Sequence, residues 1–155
     1  MGIGRSLIPP RITFNNPDHG RVVARRAGTF FNPECDRCVS VVVGGELIGG
    51  VTYQGYTGTS IQMHMAGMAD RWATRDFMWV IFDYPFNQLG VERVFGQLVE
   101  SNTRALEIVE KLGFKRVARV EGVFPTGACI VSTMERADCR WLKIKPRGLS
   151  ARPEA

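Results

Sequence analysis

The sequence predicts a mixed α/β fold, a mostly antiparallel sheet flanked by helices, with a shortened helical segment near its start. Three observations carry this. Two β-rich runs, Cys38–Val43 and Glu46–Tyr53, are separated by Gly44-Gly45, a residue pair suited to closing a two-residue hairpin. After Ala66-Gly67 the apolar period lengthens to that of a helix, with Phe77, Val80, Ile81 and Tyr84 on one stripe. Ser101–Phe114, SNTRALEIVEKLGF, then reads as a helix marked at both ends. Ser101 or Asn102 is the N-cap, Ala105, Ile108, Val109 and Leu112 form the apolar stripe, and Gly113 is the stop.

The remaining elements fall in order around these three. Arg11–Phe14 is a short first strand, and Asp18–Gly28 a single short helix with Val22, Val23 and Ala27 inward. The hairpin follows, then the Tyr56-Thr57-Gly58 turn and a strand over Ser60–Met65. A helix runs from Thr74 to Leu89 with a kink at Pro85, because proline cannot donate the helical hydrogen bond. Val91–Val99 is the next strand, leading into the capped helix. Phe114–Val120 and Ala128–Met134 close the chain as a strand pair around Phe124-Pro125-Thr126-Gly127. Residues 11–142 thus form one domain between a flexible N-terminal tail, 1–10, and a basic flexible C-terminal tail, 143–155.

With 155 residues and 45% hydrophobic content, the chain is long enough to bury a full core. No apolar run approaches the ~18 residues of a membrane span, so no membrane role is expected. The formal net charge of +5, mostly from arginine, favours anionic partners such as a nucleotide-bearing cofactor or nucleic acid. Cys35 and Cys38 form a CxxC, but Cys129 and Cys139 stand apart, and His19 and His64 are the only histidines. That set lacks the second close pair a zinc site needs, so no metal is expected. Four free thiols fit a reducing, cytoplasmic compartment.

A polar-capped helix leaving a strand and closing on Leu-Gly-Phe resembles the last conserved block of the GNAT superfamily of acyl-CoA-dependent N-acyltransferases. The order of elements over residues 11–142 is similar to that family's as well. One segment departs: where the family has two helices covering the acceptor amine, this chain has one short helix plus Thr29–Arg37. The resemblance implies acetyl-CoA as co-substrate. It places the phosphate loop, Q/R-x-x-G-x-G/A in the family, within Met65–Phe77, MAGMADRWATRDF. Arg71 matches the leading residue, but Thr74 and Asp76 replace the two glycines. The Thr74 hydroxyl can cap the helix or meet phosphate. The Asp76 carboxylate repels phosphate by roughly 2–3 kcal/mol at ~6 Å and an effective dielectric of ~20, and Arg71 and Arg75 can return a similar amount. Met65, Gly67, Arg71, Trp72, Thr74, Arg75 and Asn102 are therefore the expected cofactor-binding residues, with Trp72 against pantetheine or adenine.

Aminolysis of a thioester needs a base for the amine and a stabiliser for the departing thiolate. His64, on one face of its strand with Ser60 and Gln62, is the expected base, with Tyr53 and Glu121 as weaker alternatives. A backbone N–H near Met65–Gly67 is expected to meet the oxyanion. The family's thiolate-protonating tyrosine is matched by Val109, so Ser101, Tyr56 or an ordered water is the expected substitute acid. The implied activity is transfer of an acetyl group to a primary amine by direct attack. The open acceptor side and general appearance resemble compact phage- and prophage-encoded members, which implies a macromolecular acceptor, a protein amine or an amino-modified DNA base. Thr74, Asp76 and Val109 equally fit a non-catalytic binding or structural protein of the same fold, such as a virion-associated one. A homodimer is a further expectation drawn from the family.

Overall fold

The computed structural model describes residues 9–144 and 146. The expected tails therefore fall almost wholly outside the described residues. Seven strands form one sheet in the order β1-β2-β3-β4-β5-β7-β6. They are β1 (Arg11–Phe14), β2 (Arg37–Val43), β3 (Glu46–Gln54), β4 (Ser60–Gly67), β5 (Arg93–Val99), β6 (Lys115–Phe124) and β7 (Gly127–Glu135). Helices α1 (Pro17–Arg26), α2 (Arg75–Asp83) and α3 (Thr103–Leu112) connect β1 to β2, β4 to β5 and β5 to β6. Every neighbouring pair is antiparallel except β4 and β5.

The hairpin glycines adopt φ +58° and +80°, the left-handed pair that a tight two-residue turn requires. α1 starts one residue earlier than expected, with the Asn16 carboxamide accepting from the N–H groups of Asp18 and His19. Its inward face is Gly20, Val23 and Ala24, not Val22, which is 41% exposed. The reason is close approach: Val23 packs over Gly50 of β3, and the Phe31 ring lies on Gly20. These contacts select the small-residue stripe at i, i+3 and i+4.

The helix expected over Thr74–Leu89 breaks at Pro85 into α2 and a π-helical turn, Tyr84–Gln88. Pro85 has no N–H for the Ile81 carbonyl, and the Tyr53 hydroxyl donates to that oxygen instead at 2.5 Å. Tyr53 is thereby locked in the core, its ionisation pushed well up by burial, and it is withdrawn as a base. The core lies between the sheet and α2, where Val39, Val41, Val51, Ile61 and Met63 meet Phe77, Ile81, Phe82 and Phe86. Val109 and Leu112 of α3 pack on the same cluster. α1 covers the opposite face, so the sheet separates α1 from α2 and α3.

Candidate active site

The parallel β4–β5 pairing is short. Ser60, Ile61 and Gln62 face Arg93, Val94 and Phe95, and pairing ends there. β4 continues to Gly67 along β3, and β5 continues to Val99 along β7, so the two strands splay. The Met68 N–H donates to the Ile48 carbonyl on β3 at 2.8 Å. Backbone groups alternate sides along an antiparallel strand, so those of Met63, Met65 and Gly67 point towards β5. Beyond the last β4–β5 pair, Met65 and Gly67 face the splay with no strand opposite.

A cavity of about 300 Å³ occupies the splay. Met65, Gly67, Trp72, Gly96, Leu98, Asn102, Val109 and Ser132 line it towards α2 and α3, and His64, Arg26 and Ala27 towards α1. A larger cleft of about 630 Å³ lies at the opposite end of β4 and β5. Of its charged lining, Arg93 pairs with Glu135 and Arg136 with the Phe86 carbonyl.

The floor of the splay holds an unusual set of atoms. Among the described residues, the buried side-chain polar atoms without a hydrogen-bond partner are Thr52 Oγ1, His64 Nε2 and Ser132 Oγ. His64 and Ser132 line the cavity, and Thr52 pairs with His64 across β3 and β4. Buried polar groups are ordinarily satisfied, so the two that line the cavity, His64 Nε2 and Ser132 Oγ, mark a place for a ligand. Burial holds the His64 imidazole below its ordinary pKa, with the Asp36 carboxylate opposing the shift. A neutral imidazole with a bare nitrogen is the form a general base requires.

Asn102 lines the cavity as the N-cap of α3, its Oδ1 accepting from the Ala105 N–H at 3.2 Å. Trp72 folds back across the β-sheet, so that a Cβ on Gly67 would sit 2.1 Å from its Nε1 and one on Gly49 2.6 Å from its Cβ. Its ring also meets Phe77 edge-on at 6.1 Å. Thr74 caps α2, accepting from the Phe77 N–H at 3.2 Å, and does not line the cavity, nor do Arg71 and Arg75. Ser101, in the turn before α3, and Tyr56, in the β3–β4 turn at the far end of β4, lie outside it as well. Glu121 is exposed on β6, paired with Arg119. Cys35 is exposed and Cys38 buried, its thiol pushed up to about 11 mainly by burial.

Ser132 and Arg104 are among the cavity residues that escape the sequence reading. Ser132 shares a strand face with Ile130 and Met134, so a hydroxyl among apolar neighbours was its only signal. Arg104 sits in the first turn of α3, where a cation opposes the helix dipole and no acidic residue is present. Its guanidinium makes no hydrogen bond or ion pair among the described residues and lines the cavity. α2 is the reverse, with Asp76 in its own first turn.

Solved structures with this architecture include N-acetyltransferases. The chain is similar to mutant forms of the spermidine/spermine N-acetyltransferase SpeG from Vibrio cholerae, at 13% identity over 87% of this chain and 98% of that one, with a TM-score of 0.66. The chain has the GNAT fold. It is also similar to the N-acetyltransferase PseH of Campylobacter jejuni, solved in complex with acetyl coenzyme A, at 16% identity over 65% and 68% of the two chains and a TM-score of 0.51. No protein-family profile matches the sequence, and no curated protein matches it. At these identities the likeness is one of architecture.

Proposed function

We propose that this chain is an N-acetyltransferase that moves an acetyl group from acetyl-CoA to a primary amine by direct attack. The observation that carries the reading is the bare, buried His64 Nε2 beside a β4 edge that has lost its partner strand. In this reading His64 accepts the amine proton from the α1 side. The free N–H groups of Met65 and Gly67 serve the carbonyl oxygen and the peptide-like arm of the co-substrate. Trp72 and Asn102 wall that arm, and Arg71, Thr74 and Arg75 border the route of its phosphates. PseH, solved with acetyl coenzyme A on the same fold, supports the choice of co-substrate.

The acceptor in this reading is macromolecular, a protein amine or an amino-modified DNA base. Among the described residues one helix covers the acceptor face, and its last turn carries Arg25 and Arg26. A net charge of +5 supports an anionic partner, and host cytoplasm is the setting if the chain is phage-encoded. Calorimetric titration with acetyl-CoA and CoA, followed by a screen of lysine peptides and amino-modified DNA, tests the proposal. Micromolar binding with acetyl transfer supports it. No binding at millimolar ligand refutes it, leaving a non-catalytic protein on the same scaffold.

Arg104 extends the phosphate contacts. A cation at a helix start is stabilised only when an anion arrives, and Asp76 has taken that place on α2. Arg104→Gln is expected to weaken CoA binding about tenfold, the usual cost of losing a hydrogen bond to a charged group. Arg104→Lys should recover part of the loss, and unchanged affinity in both variants would place the phosphates elsewhere.

A further inference from the structure

Resting on the acetyltransfer reading, we propose that Ser132 is a catalytic residue, donating a hydrogen bond from its hydroxyl to the sulfur of the departing thiolate. The family's tyrosine position holds Val109, which lines the same cavity and offers no proton. Ser132 is 2% exposed and lines that cavity from β7, and its Oγ has no partner among the described residues. Two other buried hydroxyls are satisfied. Thr133 Oγ1 donates to the Val94 carbonyl at 3.2 Å, and Ser40 Oγ lies 2.7 Å from His19 Nδ1. Thr52 is the other orphan, but its β-branched methyl suits a strand, whereas serine brings no such packing gain. A buried hydroxyl without a partner costs stability that alanine would not, so its retention here points to a ligand atom.

Position fits the role. Ser132 pairs with Gly96 of β5, next to Phe95, the last β5 residue still paired with β4. Gly96 has no side chain to close the way to the splay, and the Met63 carbonyl would stand 3.3 Å from a Cβ placed there. Ser132 faces the α3 side with Val109, and His64 faces the α1 side. The two groups thus address opposite sides of one carbonyl, where an attacking amine and a leaving sulfur belong. The amine nitrogen bonds to the carbonyl carbon and its proton passes to His64 Nε2. The C–S bond then breaks with its electron pair on sulfur, and CoA leaves as a thiolate held by the Ser132 O–H. His64 later returns the proton to solvent, so no further reactant is needed.

The test uses the full chain. Ser132→Ala is expected to lower kcat about 10- to 100-fold with KM for acetyl-CoA nearly unchanged, as expected for a hydrogen bond to a charged atom. The thiol of bound CoA, followed by the ultraviolet absorbance of its thiolate, should titrate about one unit higher in the variant, one unit being a tenfold effect. The variant should also melt about 2–4 °C higher, because the unsatisfied hydroxyl is gone. Ser132→Cys, which keeps a weak donor, should lie between the two. Wild-type kcat and an unmoved thiol titration in Ser132→Ala overturn the proposal while sparing the acetyltransfer reading. A rise in KM alone also overturns it, by making Ser132 a binding residue. Absence of CoA binding by the wild-type chain removes both.

Discussion

Replacing His64 with alanine is expected to slow acetyl transfer by about 10²–10⁴-fold, the range lost with a general base, while CoA affinity stays within a few-fold. The separation of effects follows from placement. Nε2 lies on the α1 side of β4, whereas the Met65 and Gly67 backbone points into the splay and Trp72 and Asn102 lie on the other face. His64→Gln, similar in size but unable to take a proton at this position, should be as slow. The pH profile carries a sign that a structural histidine would not give. Burial keeps the His64 pKa below its ordinary value, so the neutral, active form predominates at neutral pH. kcat/KM should therefore be flat near neutrality and fall as pH drops through a value below ~6.5. Stability should follow the same direction. The unfolded chain takes up the proton first, so stability is lost as pH falls from ~6.5 through the folded pKa, and that slope should shrink in His64→Ala. Turnover by His64→Ala within threefold of wild type would remove His64 from the mechanism.

Local signals in the sequence were sufficient wherever one residue type answers one backbone need. Asn102 caps α3, Gly113 ends it at φ +112°, and Gly44-Gly45 turns the hairpin. Chemistry that depends on register was less legible. The inward face of α1 depends on Gly50 and Phe31, residues remote in sequence that make Gly20 and Ala24 the better fit than Val22. Pro85 announced an irregular helix, but the form of the irregularity rests on Tyr53 reaching the Ile81 carbonyl from β3. Tyr56 and Ser101 have suitable chemistry and lie outside the cavity, because strand length and turn position decide which hydroxyls reach it. Ser132 reaches it only because β7 sits beside β5 in the sheet, an adjacency that chain order alone does not reveal. Its identity as a serine was visible, but its address was not.

Gly67→Ala should be the most disruptive single-carbon change at the site, and its effect should pass through Trp72. A Cβ at Gly67 would stand 2.1 Å from Trp72 Nε1 and 2.4 Å from its Cδ1, so the indole must leave. It has little room to adjust, because Gly49, opposite Gly67 in β3, carries the other part of the same side chain. The expected cost is about 1–3 kcal/mol, typical of overpacking, with a shift of tryptophan emission towards that of a solvated indole. CoA affinity should fall with it, since Trp72 walls the cavity and its displacement unseats the loop leading to the α2 cap. A double-mutant cycle isolates the cause. In a Trp72→Ala background the three atoms nearest the new methyl are gone, so Gly67→Ala should cost less than about 0.5 kcal/mol there, and the two changes should be far from additive. Equal cost in both backgrounds would mean that the strand itself needs glycine. The affinity loss would then belong to the β4 backbone that faces the splay rather than to the indole beside it.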